Sequence, residues 1–234
     1  MGSLVVFDIS LSVDGFMRGP NPGPGNILGD GGEALHAWIG SDATEEDRRL
    51  LADGVGGAGA VICGRRTYDD SLPSWRADGP TGAARLPLFV VSHTVPAAIP
   101  DGVYHFADDI VSALASARVA AGGKDICIMG GADIGRQFLR AGLIDEVSLH
   151  VAPVLLGGGT RMFDDAFGRG VALERRSVVT TRAATHLRYA IARPVSGQPA
   201  AEAREQSEGE PLGTRPRLAR QGHIDRLGVE TATE

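Results

Sequence analysis

The chain has 234 residues, 43% of them apolar, with 33 Gly and 13 Pro, and 23 Lys plus Arg against 29 Asp plus Glu for a formal net charge of −6. The apolar share excludes a wholly disordered chain, and the glycines follow no fibrous period. The acidic balance argues against a non-specific nucleic-acid or anionic-membrane binder, because such proteins neutralise phosphates with Lys and Arg.

Met1 to Ser12 carries no basic leader or cleavage-like site, and nowhere do 18 apolar residues run together, so a cytoplasmic protein without a membrane span is expected. Cys63 and Cys127 lie far apart and form no ligand-spaced cluster, the pattern of reduced thiols. None of the six histidines has the i, i+4 spacing of a metal site, and no metal is expected.

In chain order, Leu4 to Val13 sets Val5, Phe7, Ile9, Leu11 and Val13 against Val6, Asp8, Ser10 and Ser12, the period of a strand with unlike faces. Asp8 is odd there, since a carboxylate inside a strand needs partners, a raised pKa or an exposed strand end. The breaker-rich run Gly19 to Asn26 reads as a surface loop of the composition mobile loops have. Glu33 to Ile39 and Thr44 to Asp53 read as helices, the second opened by Thr44 as cap with Asp47 three positions on. Trp38 fits either a helix-face core position or a ring-stacking platform.

Short buried strands follow at Ala60 to Cys63, Leu88 to Ser92 and Ile126 to Met129. Helices are expected over Asp108 to Ala121 and over Ala132 to Ala141, the latter stopped by Gly142. Glu146 to Leu155, Leu173 to Thr181 and His186 to Ala192 read as strands, the last two as an antiparallel pair. Helices alternating with strands, then strands alone, imply an α/β domain: a mixed sheet with helices on both faces and an antiparallel edge. We place its end near Pro194. Of residues 195–234 only eleven are apolar and none is aromatic, too few to order that polar tail.

Three buried strands end alike. Cys63 runs into Gly64-Arg65-Arg66-Thr67, Val91 into Ser92-His93-Thr94, and Met129 into Gly130-Gly131-Ala132. In an open α/β sheet the ligand crevice lies beyond the carboxyl ends of strands, so the three turns are expected to face one site. Gly130 and Gly131 before a helix admit a pyrophosphate to backbone amides, although such a pair taken alone is more often a mere tight turn. Arg65 and Arg66 offer forked donors with the Thr67 hydroxyl, or are merely solvated. Their convergence points to a phosphate-rich dinucleotide. A 2′-phosphate adds roughly two negative charges, so the arginines favour NADPH over NADH. Gly157 and Gly158 form a further turn that brings backbone near a ligand or simply connects to the final hairpin.

Together these motifs resemble the dihydrofolate-reductase-like superfamily, and within it the group similar to the C-terminal reductase domain of the riboflavin-biosynthesis deaminase/reductase. The resemblance rests on Ser12-Val13-Asp14-Gly15-Phe16, Gly64-Arg65-Arg66-Thr67-Tyr68, Val91-Ser92, Met129-Gly130-Gly131 and Ala152-Pro153-Val154-Leu155-Leu156-Gly157-Gly158. It covers most of residues 3–192. It implies a dihydrofolate-reductase-like, mostly parallel eight-stranded sheet with a C-terminal antiparallel hairpin, a homodimer, and hydride transfer from NADPH to a small molecule. By match, Arg65, Arg66 and Thr67 would hold phosphates, Ser92 and His93 the 2′-phosphate side, and Gly130, Gly131, Ala132, Asp133 and Ile134 the pyrophosphate. The Gly19 to Asn26 loop resembles an active-site lid in position.

A riboflavin-precursor-like substrate of the 5-amino-6-ribosylamino-uracil type is expected, with Asp14 orienting sugar hydroxyls or acting only as a turn residue. Met129 stands where related reductases usually carry Glu. No deaminase zinc signature precedes the domain, so a single activity is expected. The alternatives are a dihydrofolate or pterin reductase, with Glu33 or Asp30 assisting protonation, and a dinucleotide-binding module without catalysis.

Overall fold

The structure, a computed structural model, describes residues 3–23, 25–163 and 170–192. The expected tail over 195–234 lies outside the described residues. Strand β1 (Val5–Ser12) occupies the middle of the sheet. Its alternation has a plain physical use: Val5, Phe7, Ile9 and Leu11 enter the main core, while Asp8 and Ser10 point to the other face.

The remaining elements among the described residues are β2 (Phe16–Arg18), a 3-10 helix (Gly32–Ile39), α1 (Glu45–Gly57), β3 (Ala58–Gly64), α2 (Arg65–Trp75), a short 3-10 turn (Gly82–Ala84), β4 (Leu88–Val91), β5 (Tyr104–Ala107), α3 (Ile110–Ala121), β6 (Asp125–Ile128), α4 (Ala132–Arg140), β7 (Glu146–Ala152), β8 (Thr160–Arg161), β9 (Leu173–Thr180) and β10 (Thr185–Ile191). The eight-stranded sheet has the order β5-β4-β3-β6-β1-β7-β10-β9, and β2 pairs with β8 separately. Every pairing from β5 across to β7 is parallel; β10 runs antiparallel to both β7 and β9. This is the mixed sheet with a C-terminal hairpin that the sequence implies.

Helices α3 and α4 cover one face, where Ala113, Leu114, Ala117, Ile134 and Phe138 pack with Phe7, Ile62, Ile126 and Ile128. On the opposite face α2 covers β3 and β4 through Tyr68, Leu72 and Trp75. The 3-10 helix puts Trp38 against Ala183 and Ala184 at the hairpin. α1 buries only Asp47. It therefore leaves space above the middle strands.

Two elements differ from expectation. Gly64 to Thr67 reads as a turn in the sequence, but Arg65 begins an eleven-residue helix despite Pro73 inside it. Tyr68, Leu72 and Trp75 recur at i, i+4 and i+7, and burying that stripe outweighs weak local propensity. β5 was not apparent because His105 sits inside a four-residue edge strand. The 33–39 segment is helical as expected, but in the tighter 3-10 form.

Candidate active site

Since β4, β3 and β6 are adjacent and parallel, their carboxyl ends share one edge. Arg65 spans two of the three corners. Its Nη1 donates to Ser92 Oγ at 3.3 Å, to the Thr94 carbonyl at 2.8 Å and to Thr94 Oγ1 at 3.1 Å, while its Nε donates to Asp69 at 2.8 Å. Thr67 joins the third, its Oγ1 accepting the Gly131 amide at 3.0 Å. Gly130 has φ +91°, and a Cβ there would lie 2.5 Å from Thr67 Oγ1. The close approach of α2 to the β6 turn thus depends on a residue without a side chain.

Helices α2 and α4 both start at this edge, from Gly64 and Gly131, and neither first turn has a side-chain cap. α1 and α3, in contrast, are capped by Thr44 and Asp109. First-turn amides without caps beside glycine backbone form a cradle suited to an anion, and the helix dipole favours negative charge there. Arg66 is exposed, and its side chain makes no hydrogen bond among the described residues. Ser92 is buried and donates to the Thr94 carbonyl at 2.7 Å, with His93 exposed beside it. Ala132 and Ile134 are buried, whereas Asp133 projects outward, which leaves their amides as the groups able to meet a ligand. These residues fit the phosphates of a dinucleotide.

Asp14 is bound on both oxygens. Ser12 Oγ donates to Oδ1 at 2.6 Å, and the Leu156 and Gly157 amides donate to Oδ1 and Oδ2 at 3.1 and 2.7 Å. The Ser12 hydrogen bond and those amides hold its carboxyl down at about 2, against a smaller opposing effect of burial. Asp14 therefore ties the end of β1 to the loop carrying Gly157 and Gly158. Glu33 is exposed in the first turn of the 3-10 helix and does not line the cavity described next. Asp30 accepts from Asn21 at 2.8 Å and Asn26 at 3.1 Å, closing the glycine-rich loop. That loop packs tightly at its base: a Cβ on Gly29 would meet the Gly19 carbonyl, and one on Gly159 the Arg18 carbonyl.

A cavity of about 980 Å³ runs from Thr67, Gly130 and Gly131 inward to the polar face of β1 and β7, where Asp8, Ser10, Ser148 and His150 form its floor. Such volume accommodates a small organic substrate with a nicotinamide ring. Trp38 is buried, donates through Nε1 to Ser10 Oγ at 2.9 Å, and stacks on the His150 ring at a 4.0 Å centroid separation. Asp8 meets His150 Nε2 at 3.1 Å, the partner its place in the strand demands. His150 and His186 were not apparent from sequence. They are opposed by the β7/β10 register, and the visible signal was only the polar alternation Ser148, His150 beside Asp8, Ser10.

The sequence matches the RibD C-terminal domain family over residues 3–187. The riboflavin biosynthesis protein RibD of Mycobacterium tuberculosis (strain H37Rv) is 31% identical over 137 residues, covering 55% of this chain and 39% of the relative. The chain thus spans about two fifths of that relative's length. The uncharacterized protein YyaP of Bacillus subtilis is 46% identical over 43 residues, 18% of this chain and 23% of that one. Among solved structures, a putative riboflavin biosynthesis protein from Shewanella sp. PV-4 superposes with TM-score 0.60 at 22% identity, covering 81% of this chain and 99% of that one. Acinetobacter baumannii RibD does so with TM-score 0.57 at 18% identity, over 82% and 59%. At these identities the structures speak to the fold. The match over 3–187 goes further: this chain belongs to the RibD C-terminal domain family.

Proposed function

We propose that the protein is an NADPH-dependent reductase acting on a riboflavin-precursor-like substrate of the 5-amino-6-ribosylamino-uracil type. One observation carries the reading: a single cavity joins the uncapped starts of α2 and α4 to the polar floor formed by Asp8, Ser10 and His150. NADPH, when bound, supplies the hydride. The chain holds its phosphates with the α4 amides and Arg66, and keeps the α2 start in place through Arg65 and Thr67. It positions the electrophilic carbon and screens it from water beneath Trp38.

The 2′-phosphate reading rests on Arg65, Arg66, Ser92 and His93 at the β3 and β4 ends. Asp14 acts through the loop it clamps, which leads from Gly157 and Gly158 to Thr160 at the cavity wall. The family resemblance extends the proposal to a cytoplasmic homodimer, which equilibrium sedimentation checks. Purified protein mixed with NADPH and the ribosylaminouracil substrate is expected to lose nicotinamide absorbance and form the ribitylamino product. No loss with this substrate, but loss with a dihydropterin, would overturn the substrate assignment.

A further inference from the structure

The cavity floor holds four acid–base groups in series. Asp8 Oδ2 lies 3.1 Å from His150 Nε2; His150 Nδ1 lies 2.7 Å from His186 Nδ1; and His186 Nε2 lies 2.8 Å from Asp47 Oδ1. Both rings and Asp47 are buried, whereas the Asp8 side chain is 38% exposed at the cavity. The order is therefore a sealed end at Asp47 and an open end at Asp8.

Proton counting makes this series unusual. A carboxylate only accepts, so each Nε2 facing one requires an N–H, and the Nδ1 to Nδ1 contact requires one more. With both carboxyls ionised that is three protons on four ring nitrogens, one more than two neutral imidazoles carry; burial works against this charge by pushing His186 down, while the hydrogen bond to Asp47 opposes that shift. Asp47 cannot take up the mismatch. It already accepts from the Thr44 amide and hydroxyl and from Thr181 Oγ1 as well as His186, and these donors hold its carboxyl down at about 2 although burial opposes them. His186 thus keeps its Nε2 proton. Any change in proton number is expressed at the other end, between His150 Nε2 and Asp8.

We propose that the His150–His186 pair stores one exchangeable proton and that Asp8 delivers it to the substrate during reduction, which rests on the reductase reading above. In the ring-opened ribosylamine, hydride adds to the imine carbon and forms the new C–H bond; the C=N π pair moves to nitrogen. The Nε2 proton of His150 passes to the Asp8 carboxylate, which hands it to that nitrogen and ends the step as a carboxylate again. The pair drops from three protons to two, and solvent restores the third through Asp8 once product leaves. Asp8 is the catalytic acid, and His150 and His186 are positioning residues behind it.

The other titratable groups lining the cavity around these rings include His36 of the 3-10 helix, Asp53 of α1, Asp125 and Cys127 of β6, and Arg188, which pairs with Glu146 across β7 and β10. Burial, then the neighbouring His150, pushes His36 down; burial, then Asp8, pushes the Cys127 thiol up. Both shifts disfavour charge on these neighbours of the series. Trp38 fixes the His150 plane by stacking.

The test has two arms. In ¹⁵N-histidine NMR of the wild-type protein followed across pH, the two rings should share one added proton between them, seen as linked changes at both Nδ1 atoms. Two rings that remain neutral throughout, or that each titrate independently, would overturn the shared proton. In kinetics, Asp8→Asn should lower kcat by about a hundredfold or more, as for loss of a general acid, with KM for NADPH within about twofold and unchanged circular dichroism. His186→Asn should shift the basic limb of the kcat profile while leaving kcat at low pH closer to wild type. Wild-type kcat and profile in Asp8→Asn would overturn the donor role. If the wild-type protein shows the shared proton but never oxidises NADPH, the reductase reading falls and the donor role with it, while the charged pair stands.

Discussion

Thr67 Oγ1 accepts the backbone amide of Gly131 at 3.0 Å, and that single bond links the start of α2 to the start of α4. The two helices leave neighbouring strands, and neither has a cap of its own. Thr67 fixes their separation, and with it the spacing of the amides that face an anion.

Gly130→Ala tests how tight this junction is. The new Cβ would lie 2.5 Å from Thr67 Oγ1 on a residue at φ +91°, so strain and overlap act together. Thermal unfolding should report a loss of about 1–3 kcal/mol. Titration of NADPH should show at least about tenfold weaker binding, equal to 1.4 kcal/mol. Gly130→Ala combined with Thr67→Ser, which removes the Cγ2 contact, should recover part of both.

Arg66 and Arg65 should separate in their effects. Arg66 is exposed and its side chain has no partner among the described residues, so Arg66→Ala should weaken NADPH several-fold more than NADH and leave the melting temperature alone. Arg65 holds Ser92, Thr94 and Asp69, so Arg65→Ala should also lower the melting temperature. Equal loss of both cofactors in Arg66→Ala would show that this side chain reads no 2′-phosphate.

Asp14 is a clamp on the Leu156–Gly157 backbone in this geometry. Asn at position 14 keeps one acceptor oxygen and Ala keeps none. Turnover should therefore fall in the order wild type, Asp14→Asn, Asp14→Ala, with proteolytic sensitivity of the 154–159 loop rising in the same order. Equal collapse of kcat in both variants, with the loop still protected, would instead mark the carboxylate as a chemical participant.

Acid should unfold the protein partly through Asp47 and Asp14. Both carboxyls sit at about 2 in the folded chain, below the ordinary 3.8, so the unfolded state binds protons more readily. Their contribution is fully present above about pH 4 and is lost as pH falls towards 2. Thr44→Ala removes the hydroxyl that caps α1 and bonds Asp47, and should cost about 1 kcal/mol at neutral pH. A urea series across pH 2 to 5 should show a shallower acid limb in that variant.

Much of this molecule is legible along the chain. The alternation from Val5 to Leu11, the Thr44 and Asp47 capping pair and the apolar runs around Ile62, Phe89 and Ile128 are local patterns, and each formed close to its expected place. The three glycine or arginine corners were legible because strand ends in parallel sheets share an edge. Helix α2 was obscured because its polar, Pro-containing sequence disguises a stripe that only the sheet makes worth burying.

Sequence alone determined most of the elements and the gathering of three glycine or arginine turns at one edge, since those depend on short-range periodicity, turn chemistry and the rule that equal strand polarity gathers equal ends. Tertiary structure decided the floor of the cavity. His150 and His186 stand 36 residues apart and meet only through antiparallel register, and Asp8 and Asp47 reach them from another strand and from α1. Register and helix placement are set by the packing of the whole sheet, which no local window of the chain contains.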